Sequence, residues 1–293
     1  MRILITGGKG QLGQALRNAL SADEVHALGH ADLDVTDEEA LRRSVAELQP
    51  EVVIHTAAWT DTAGCERDPA RAFAVNGVAA GLVAKACREI EAAMVYVSSN
   101  EIFDGEKGSP YVEEDSPNPI NEYGRSKLEG ERRVRAAAEC YYIVRTSWLY
   151  GPGRTSFPEK IVEAARERGS LKLVTDEIAS PTWTVDLATA IARLIRQPAY
   201  GAYHLANSGS CSRKEWAEEI LRFGGLGITA VQPVTQAEFG APYRKPVNST
   251  LANITAARLG IELRPWREAL EDHIRGASPD SNAITSARSR GGL

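Results

Sequence analysis

Short apolar runs alternate with amphipathic segments along the first half of the chain. Arg2 to Thr6 is one such run, followed by the turn Gly7-Gly8-Lys9-Gly10-Gln11-Leu12-Gly13 and a helical repeat of Leu12, Ala15, Leu16, Ala19 and Leu20. The pattern predicts further strands at Glu24 to Gly29, Val52 to His55, Met94 to Ser99 and Tyr142 to Trp148. Helices are predicted from Glu38, capped by Thr36 or Asp37, and across about Pro69 to Arg88. Strands that are apolar throughout, separated by amphipathic helices, belong to a parallel sheet covered on both faces. The expected fold class is α/β, doubly wound.

Beyond Gly151-Pro152-Gly153 the pattern weakens. It predicts a helix from Phe157 to Arg168, a strand from Leu171 to Val174, and a helix from Val185 to Arg196 that returns to the first region. The segment Tyr203 to Ala206, a Ser212-capped helix to Phe223, a strand near Thr229 to Pro233 and a terminal helix from about Trp266 to Arg275 follow. The expected division is a dinucleotide-binding domain of residues 1–150 plus about 183–200, and a smaller, discontinuous α/β substrate domain of residues 151–182 plus about 201–275. The tail 276–293, rich in Ser, Ala, Gly and Arg, has too few large apolar residues to pack and is expected to be disordered.

Composition narrows the function classes. A net charge of -5 with a pI near 5.7 argues against nucleic-acid or membrane-surface partners, which favour a basic face. The N-terminus shows no basic region followed by a long apolar stretch, and no segment offers roughly 20 consecutive apolar residues. Cys65, Cys87, Cys140 and Cys211 lack CxxC spacing, so neither a metal site nor a disulfide framework is expected. A reducing cytoplasm fits best, with a monomer or homodimer equally compatible.

Candidate chemistry lies in three places. The glycines at positions 7, 10 and 13 sit between a strand and a helix, where the backbone can approach a pyrophosphate and helix N–H groups can meet it. Small residues in Thr56-Ala57-Ala58-Trp59-Thr60 would let a cofactor lie against the next strand end. Ser99 ends the following strand, and Tyr123 and Lys127 stand four residues apart at a helix start for which Asn121 is the expected cap. A lysine and a helix N-terminus beside a phenol are expected to lower its pKa.

The glycine turn, Ser99 and Tyr123-x-x-x-Lys127, occurring in that order, resemble the extended short-chain dehydrogenases/reductases with their Rossmann-like fold. Gly10-Gln11-Leu12-Gly13, Ile102-Phe103-Asp104-Gly105, Tyr123 to Glu131, Arg145 to Tyr150, Ser180-Pro181-Thr182 and Arg244 to Leu251 narrow the resemblance to the dTDP-4-dehydrorhamnose reductase family. The resemblance implies reduction of a 4-keto group on a dTDP-sugar with NADPH, NADH being possible. It assigns catalysis to Ser99, Tyr123 and Lys127. It places Gly7, Gly10, Gln11, Leu12 and Gly13 at the pyrophosphate, and Asp34 and Val35 at the adenine. Ala57, Ala58, Trp59, Thr60 and Val97 fall on the nicotinamide side, together with Tyr123 and Lys127. Ser99, Asn100, Glu101, Trp148 and Arg244 would meet the substrate.

Where such reductases often read Ser-Thr-Asp-Tyr, this chain has Ser98-Ser99-Asn100-Glu101. That leaves open another 4-keto sugar, an epimerase or a dehydratase; a dinucleotide-binding partner subunit without catalysis is a further alternative. Gly29-His30 stands where an acidic residue would bar a 2'-phosphate. Lys9 and the pair Arg42-Arg43 either compensate such a phosphate or are solvated. Cys65, Cys87, His55, Trp183 and Trp216 read as packed interior residues.

Overall fold

The computed structural model describes residues 1–167, 170–226 and 230–276. The expectation for the tail beyond Gly276, and the end residues Arg168 and Thr229 of two predicted elements, lie outside them. Six strands form the central sheet: β1 (Arg2–Thr6), β2 (Glu24–Leu28), β3 (Val52–His55), β4 (Ala93–Ser99), β5 (Tyr141–Thr146) and β6 (Gly201–His204). Their spatial order is β6-β5-β4-β3-β1-β2, with every neighbouring pair parallel. The chain reverses its direction of growth between β1 and β3, and ligands bind open α/β sheets at such a crevice.

Alternation along the strands decides which side each residue packs on. Ile3, Ile5, Ile54 and Val95 pack with Leu16 of the Gln11–Ala19 helix and Leu187 and Ile191 of the Thr184–Leu194 helix. Leu4, Val53 and Met94 pack on the other face with Leu41, Val45, Val83 and Val134. The second region has its own core, built on Tyr150, Leu171, Trp183, Trp216, Trp266 and Leu270.

The boundary between the two regions differs from the expected one at β6. Residues 201–204, assigned above to the second domain, pair with β5 and complete the first sheet. Tyr203 and Leu205 are buried in that sheet's core, which also takes in Ile261 and Leu263 from far down the chain. Long-range pairing of this kind leaves no local periodicity.

The predicted Pro69 to Arg88 helix runs from Pro69 to Glu89, with a π-helical stretch at Phe73–Val78. By length and composition this span could cross a membrane, yet Ala72, Ala80, Val83 and Ala84 are fully buried against the fold. The Thr62–Arg67 helix, the Asn100–Ile102 turn and the Gln236–Phe239 and Ile254–Arg258 helices are short elements that the hydrophobic pattern misses. The Glu122–Ala137 helix starts at Asn121, whose side chain accepts from Gly124 N at 2.8 Å.

That helix is tied to the sheet by a buried ion pair. Glu131 is wholly buried and accepts from Arg145 Nε at 3.0 Å and Nη2 at 2.9 Å, while Ser98 Oγ donates to it at 2.7 Å. Arg145 also donates to the Glu113 carbonyl at 3.1 Å. Removing one partner of such a pair strands the other charge in the interior. Arg145→Met is therefore expected to cost about 3–5 kcal/mol of folding stability, read by urea unfolding, and a loss below about 1 kcal/mol would show the pair to be solvated.

Candidate active site

The glycine turn after β1 meets the strand end of β3. Gly7 has a φ of 70°, and a Cβ there would lie 2.7 Å from Ala57 N, so the position requires glycine. Gly10 caps the next helix with no side-chain hydrogen bond, which leaves the first-turn N–H groups facing outward. A cavity of about 410 Å³ opens beside the turn. Gly7, Gly10, Asp34, Val35, Thr56, Ala57, Ala58 and Trp59 line it, as do the unpredicted Leu33, Thr36, Arg71 and Val75. Two strand ends and a free helix terminus beside this cavity fit a dinucleotide.

Several expected cofactor contacts are otherwise engaged. The Leu12 side chain is buried in the core, so only its backbone can face a ligand. Gln11 Nε2 donates to the carbonyls of Gly151 and Arg154, each at 2.8 Å, and so ties the turn to a loop of the second region. Gly13 packs against Gly8, with only 2.6 Å between a hypothetical Cβ and the Gly8 Cα. Thr60 is exposed outside the cavity and Val97 packs against the core. Asp34 accepts from Thr36 N at 2.9 Å and Oγ1 at 2.7 Å, bonds that hold its carboxyl below the usual range.

Lys9 and His30 stand at the cavity wall beside Gly29. Lys9 pairs with Asp32 at 2.8 Å, and Asp32 also accepts from Gly29 N at 2.8 Å, so this carboxylate is already committed. Arg42 and Arg43 are exposed and pair with Glu89 and Glu39, away from the cavity. They take the solvated reading. Arg71, which the sequence pattern gave no reason to select, lies 4.5 Å over the Trp59 ring.

Tyr123 and Lys127 lie one turn apart on the same helix, which presses on the Ser99–Ile102 segment. A Cβ at Gly124 would meet the Glu101 carbonyl at 2.0 Å, so glycine here is what lets the helix start approach β4. Ser99 accepts from Glu101 N at 3.1 Å and caps the Asn100–Ile102 turn. Lys127 is almost fully buried, with Nζ 4.2 Å over the Tyr96 ring. Asn76, in the π-helical stretch, is also fully buried; it accepts from Trp59 N at 2.8 Å and donates to Trp59 O and Ser126 Oγ, both at 3.0 Å. Its side chain thus joins the β3 loop to the helix of Tyr123, a link with no sequence signature.

The electrostatics differ from the expected depression of Tyr123. Burial raises its pKa, the Glu101 carboxylate adds to the rise, and the Ser99 hydroxyl only partly offsets them. Lys127 is itself brought down to about 7, because burial outweighs the support of Glu131. A lysine that is only partly charged lends little to a neighbouring phenolate. His55 is held neutral, near 3, by burial and by Lys127. Its Nδ1 pairs with Thr6 Oγ1 at 2.7 Å, but Nε2 is buried without a hydrogen-bond partner, so this interior histidine is only half satisfied. Burial pushes Cys65 up to about 11 and Cys87 to about 12, which keeps both as thiols.

On the substrate side, Asn100 donates to Ser249 Oγ at 2.6 Å. Glu101 accepts from Asn121 at 2.8 Å and lies 3.5 Å from Lys245 Nζ. Arg244 is exposed, and its carbonyl accepts from Asn121 at 3.0 Å. Lys245, its neighbour, is the cation that turns inward, and Arg213 lies 3.5 Å over Trp148. Both were overlooked, although the Arg244-Lys245 pair and an arginine directly after the Ser212 cap are visible in the sequence. Trp183 and Trp216 are buried in the second core.

Burial of Lys127 also predicts a dependence of stability on pH. Its folded value lies below the ordinary 10.5, so charging it opposes folding; the penalty is complete below about pH 7 and fades as pH rises toward 10.5. Lys127→Met should therefore raise the melting temperature at pH 6, by roughly 2–4 °C for each kcal/mol relieved, and give almost no gain near pH 10. Calorimetry showing the same gain at both pH values would refute the assignment.

A family model described as RmlD substrate binding domain matches residues 1–278. A dTDP-4-dehydrorhamnose reductase of Streptomyces griseus is 38% identical over 281 residues, 92% of each chain. A probable dTDP-4,6-dihydroxy-2-methyloxan-3-one 4-ketoreductase of Streptomyces antibioticus is 36% identical over 297 residues, which cover 100% of this chain and 99% of the other. The crystal structure of dTDP-4-dehydrorhamnose reductase from Bacillus anthracis in complex with NADP superposes with a TM-score of 0.91 at 35% identity, over 94% of this chain and 99% of that one. Likeness of this extent, in sequence and in fold, shows that the chain belongs to the dTDP-4-dehydrorhamnose reductase family of the extended short-chain dehydrogenases/reductases.

Proposed function

We propose that the chain reduces the 4-keto group of dTDP-4-dehydro-L-rhamnose to give dTDP-L-rhamnose, using NADPH. The observation that carries this reading is a protonated Tyr123 beside Ser99, one helical turn from a buried Lys127, next to a cavity suited to a dinucleotide. Family membership and the NADP complex of the Bacillus anthracis relative support it. NADPH, when bound, supplies the hydride.

The protein's own part is proton supply and orientation. Hydride addition to a ketone leaves an alkoxide, and a phenol held protonated at neutral pH is in the right state to donate to it. Ser99 Oγ, fixed by its bond from Glu101 N, would orient the keto oxygen. Lys127 would hold the nicotinamide ribose; two ribose hydroxyls would replace solvation that the interior denies it and draw it toward its charged form. A charged Lys127 would then ease proton release from Tyr123. The Gly7 to Gly13 turn would take the pyrophosphate, Asp34 and Val35 the adenine side, and Trp59 the nicotinamide side. Lys9, beside Gly29 at the cavity wall, would accept a 2'-phosphate. We assign the sugar nucleotide to the cleft between the sheet's strand ends and the second region, with Trp148 beside the sugar.

A 4-keto reductase acting on a different sugar is the second reading, favoured by one observation: Asn100 and Glu101 are both bound to other residues of the chain. The same bonds count against dehydration, since a carboxylate tied to Asn121 and Lys245 is poorly placed as a base.

NADPH oxidation assayed with enzymatically generated dTDP-4-dehydro-L-rhamnose, beside other 4-keto nucleotide sugars, tests the reading. Turnover without net NADPH oxidation would sink it. Tyr123→Phe should lower kcat by about 10²–10⁴-fold, the usual worth of a positioned general acid, with NADPH affinity nearly unchanged. Wild-type turnover in that variant would remove Tyr123 from the mechanism.

A further inference from the structure

Trp148 has a φ of 45°. A bulky side chain in the left-handed region is a genuine outlier, and such strain persists where the surroundings over-determine it, commonly at ligand clamps. Here the surroundings are specific. The indole stacks on Trp216 with centroids 5.5 Å apart and planes within 13°. The Arg213 guanidinium lies 3.5 Å from the Trp148 centroid and 5.1 Å from that of Phe157.

One carboxylate holds that arginine. Glu177 Oε1 accepts from Arg213 Nη2 at 2.9 Å and Nε at 3.2 Å. The same oxygen lies 3.6 Å from Lys245 Nζ, which is 3.5 Å from Glu101 Oε1. The other oxygen of Glu101 accepts from Asn121, the cap of the helix that carries Tyr123. A continuous line of contacts therefore runs from the strained indole to the start of the Tyr123 helix, and Glu177 is its midpoint.

We propose that Glu177 is a positioning residue, which through Arg213 and Lys245 holds the Trp148 ring in register with the Tyr123 hydroxyl; this rests on the reaction proposed above. The line alternates two carboxylates with two cations and carries no net charge, so attraction of an anionic substrate is not its main work. Its members are poorly hydrated, with side chains 11% exposed at Glu177, 16% at Arg213 and 19% at Lys245, so salt screens them little. Arginine suits its position because a planar guanidinium can bond a carboxylate along its edge while its face lies on an indole. A lysine is a point charge and can sit at similar distances from two carboxylates. Misplacing the sugar relative to the proton donor by even 1 Å is costly, which gives such support its value.

Glu177→Gln keeps the volume and removes the charge. The experiment compares wild type, Glu177→Gln, Arg213→Met, Arg213→Lys and the Glu177→Gln/Arg213→Met double variant. It measures KM and kcat for the 4-keto sugar nucleotide, the Kd for NADPH, and the near-ultraviolet circular dichroism of the ligand-free proteins, to which the stacked Trp148–Trp216 pair contributes. Misalignment of the sugar and the proton donor should lower kcat about tenfold in Glu177→Gln, with the NADPH Kd within about threefold of wild type. The indole dichroism should change in both single variants, Arg213→Lys should recover only part of it, and the double variant should be no worse than Arg213→Met. Unchanged kcat and dichroism in Glu177→Gln, or additive losses in the double variant, overturn the proposal. So does a parallel fall in kcat, NADPH affinity and melting temperature, which marks a merely structural ion pair. A wild type that oxidises NADPH with no 4-keto sugar nucleotide refutes the proposed reaction instead, and the ligand-free dichroism then decides whether Glu177 sets the indole.

Discussion

The Asn121 side chain is the point on which the site depends. Its oxygen accepts from Gly124 N and starts the helix of Tyr123 and Lys127; its amide group donates to the Glu101 carboxylate and to the Arg244 carbonyl. Three segments distant in sequence, the end of β4, the helix start and the 244–245 strap, are thereby brought to one residue. A cap ordinarily satisfies only the helix it begins. Here the donor half of the amide also orders the neighbouring segments, and Gly124 supplies the close approach that lets it reach them.

Burial then decides the chemistry of what Asn121 positions. Glu131 lies one turn beyond Lys127, and Arg145, Arg135 and Ser98 share its carboxylate, so it supports the lysine only weakly. Lys127 in turn cannot hold Tyr123 as a phenolate. For the reduction proposed above this is the useful direction, because a tyrosine that is to donate a proton must begin the cycle with it. A dehydrogenase oxidising an alcohol in the opposite sense would need the phenolate first and would be served poorly by this arrangement.

The α/β class, the strand–glycine–helix start and the Tyr123/Lys127 face were legible because each is local. Strand β3 spans the predicted Val52 to His55 and the terminal helix the predicted Trp266 to Arg275, since apolar periodicity and caps mark their ends. The edge strand Gly201–His204 was not legible as part of the first sheet, for its place depends on pairing with β5. Leu12 shows the limit of motif matching: its position belongs to the turn, but its side chain points into the core. The direction of the Tyr123 shift depends on burial and on Glu101, neither of which can be inferred from a lysine four residues away. Asn76, Arg213 and Lys245 went unnoticed because the hydrogen-bond and ion-pair partners of their side chains stand at least 17 residues away in sequence, as at Trp59.

The two halves of the cleft are joined in different ways, and the difference bears on what each can tolerate. On the dinucleotide side, contact is steric: Gly7 lies against Ala57 and Gly13 against Gly8. Those contacts leave no room for an added methyl group, which suits a cofactor whose pyrophosphate is invariant. The sugar side is joined by ion pairs and a stacked guanidinium, interactions that accept small changes of length and angle. Residues 100 and 101, where this chain departs from the Ser-Thr-Asp-Tyr pattern, lie on that second side. Asn100 can form its bond to Ser249, and Glu101 its pairing with Lys245, without disturbing the glycine turn. On the assignment proposed above, divergence in sugar recognition is thus physically separable from cofactor binding.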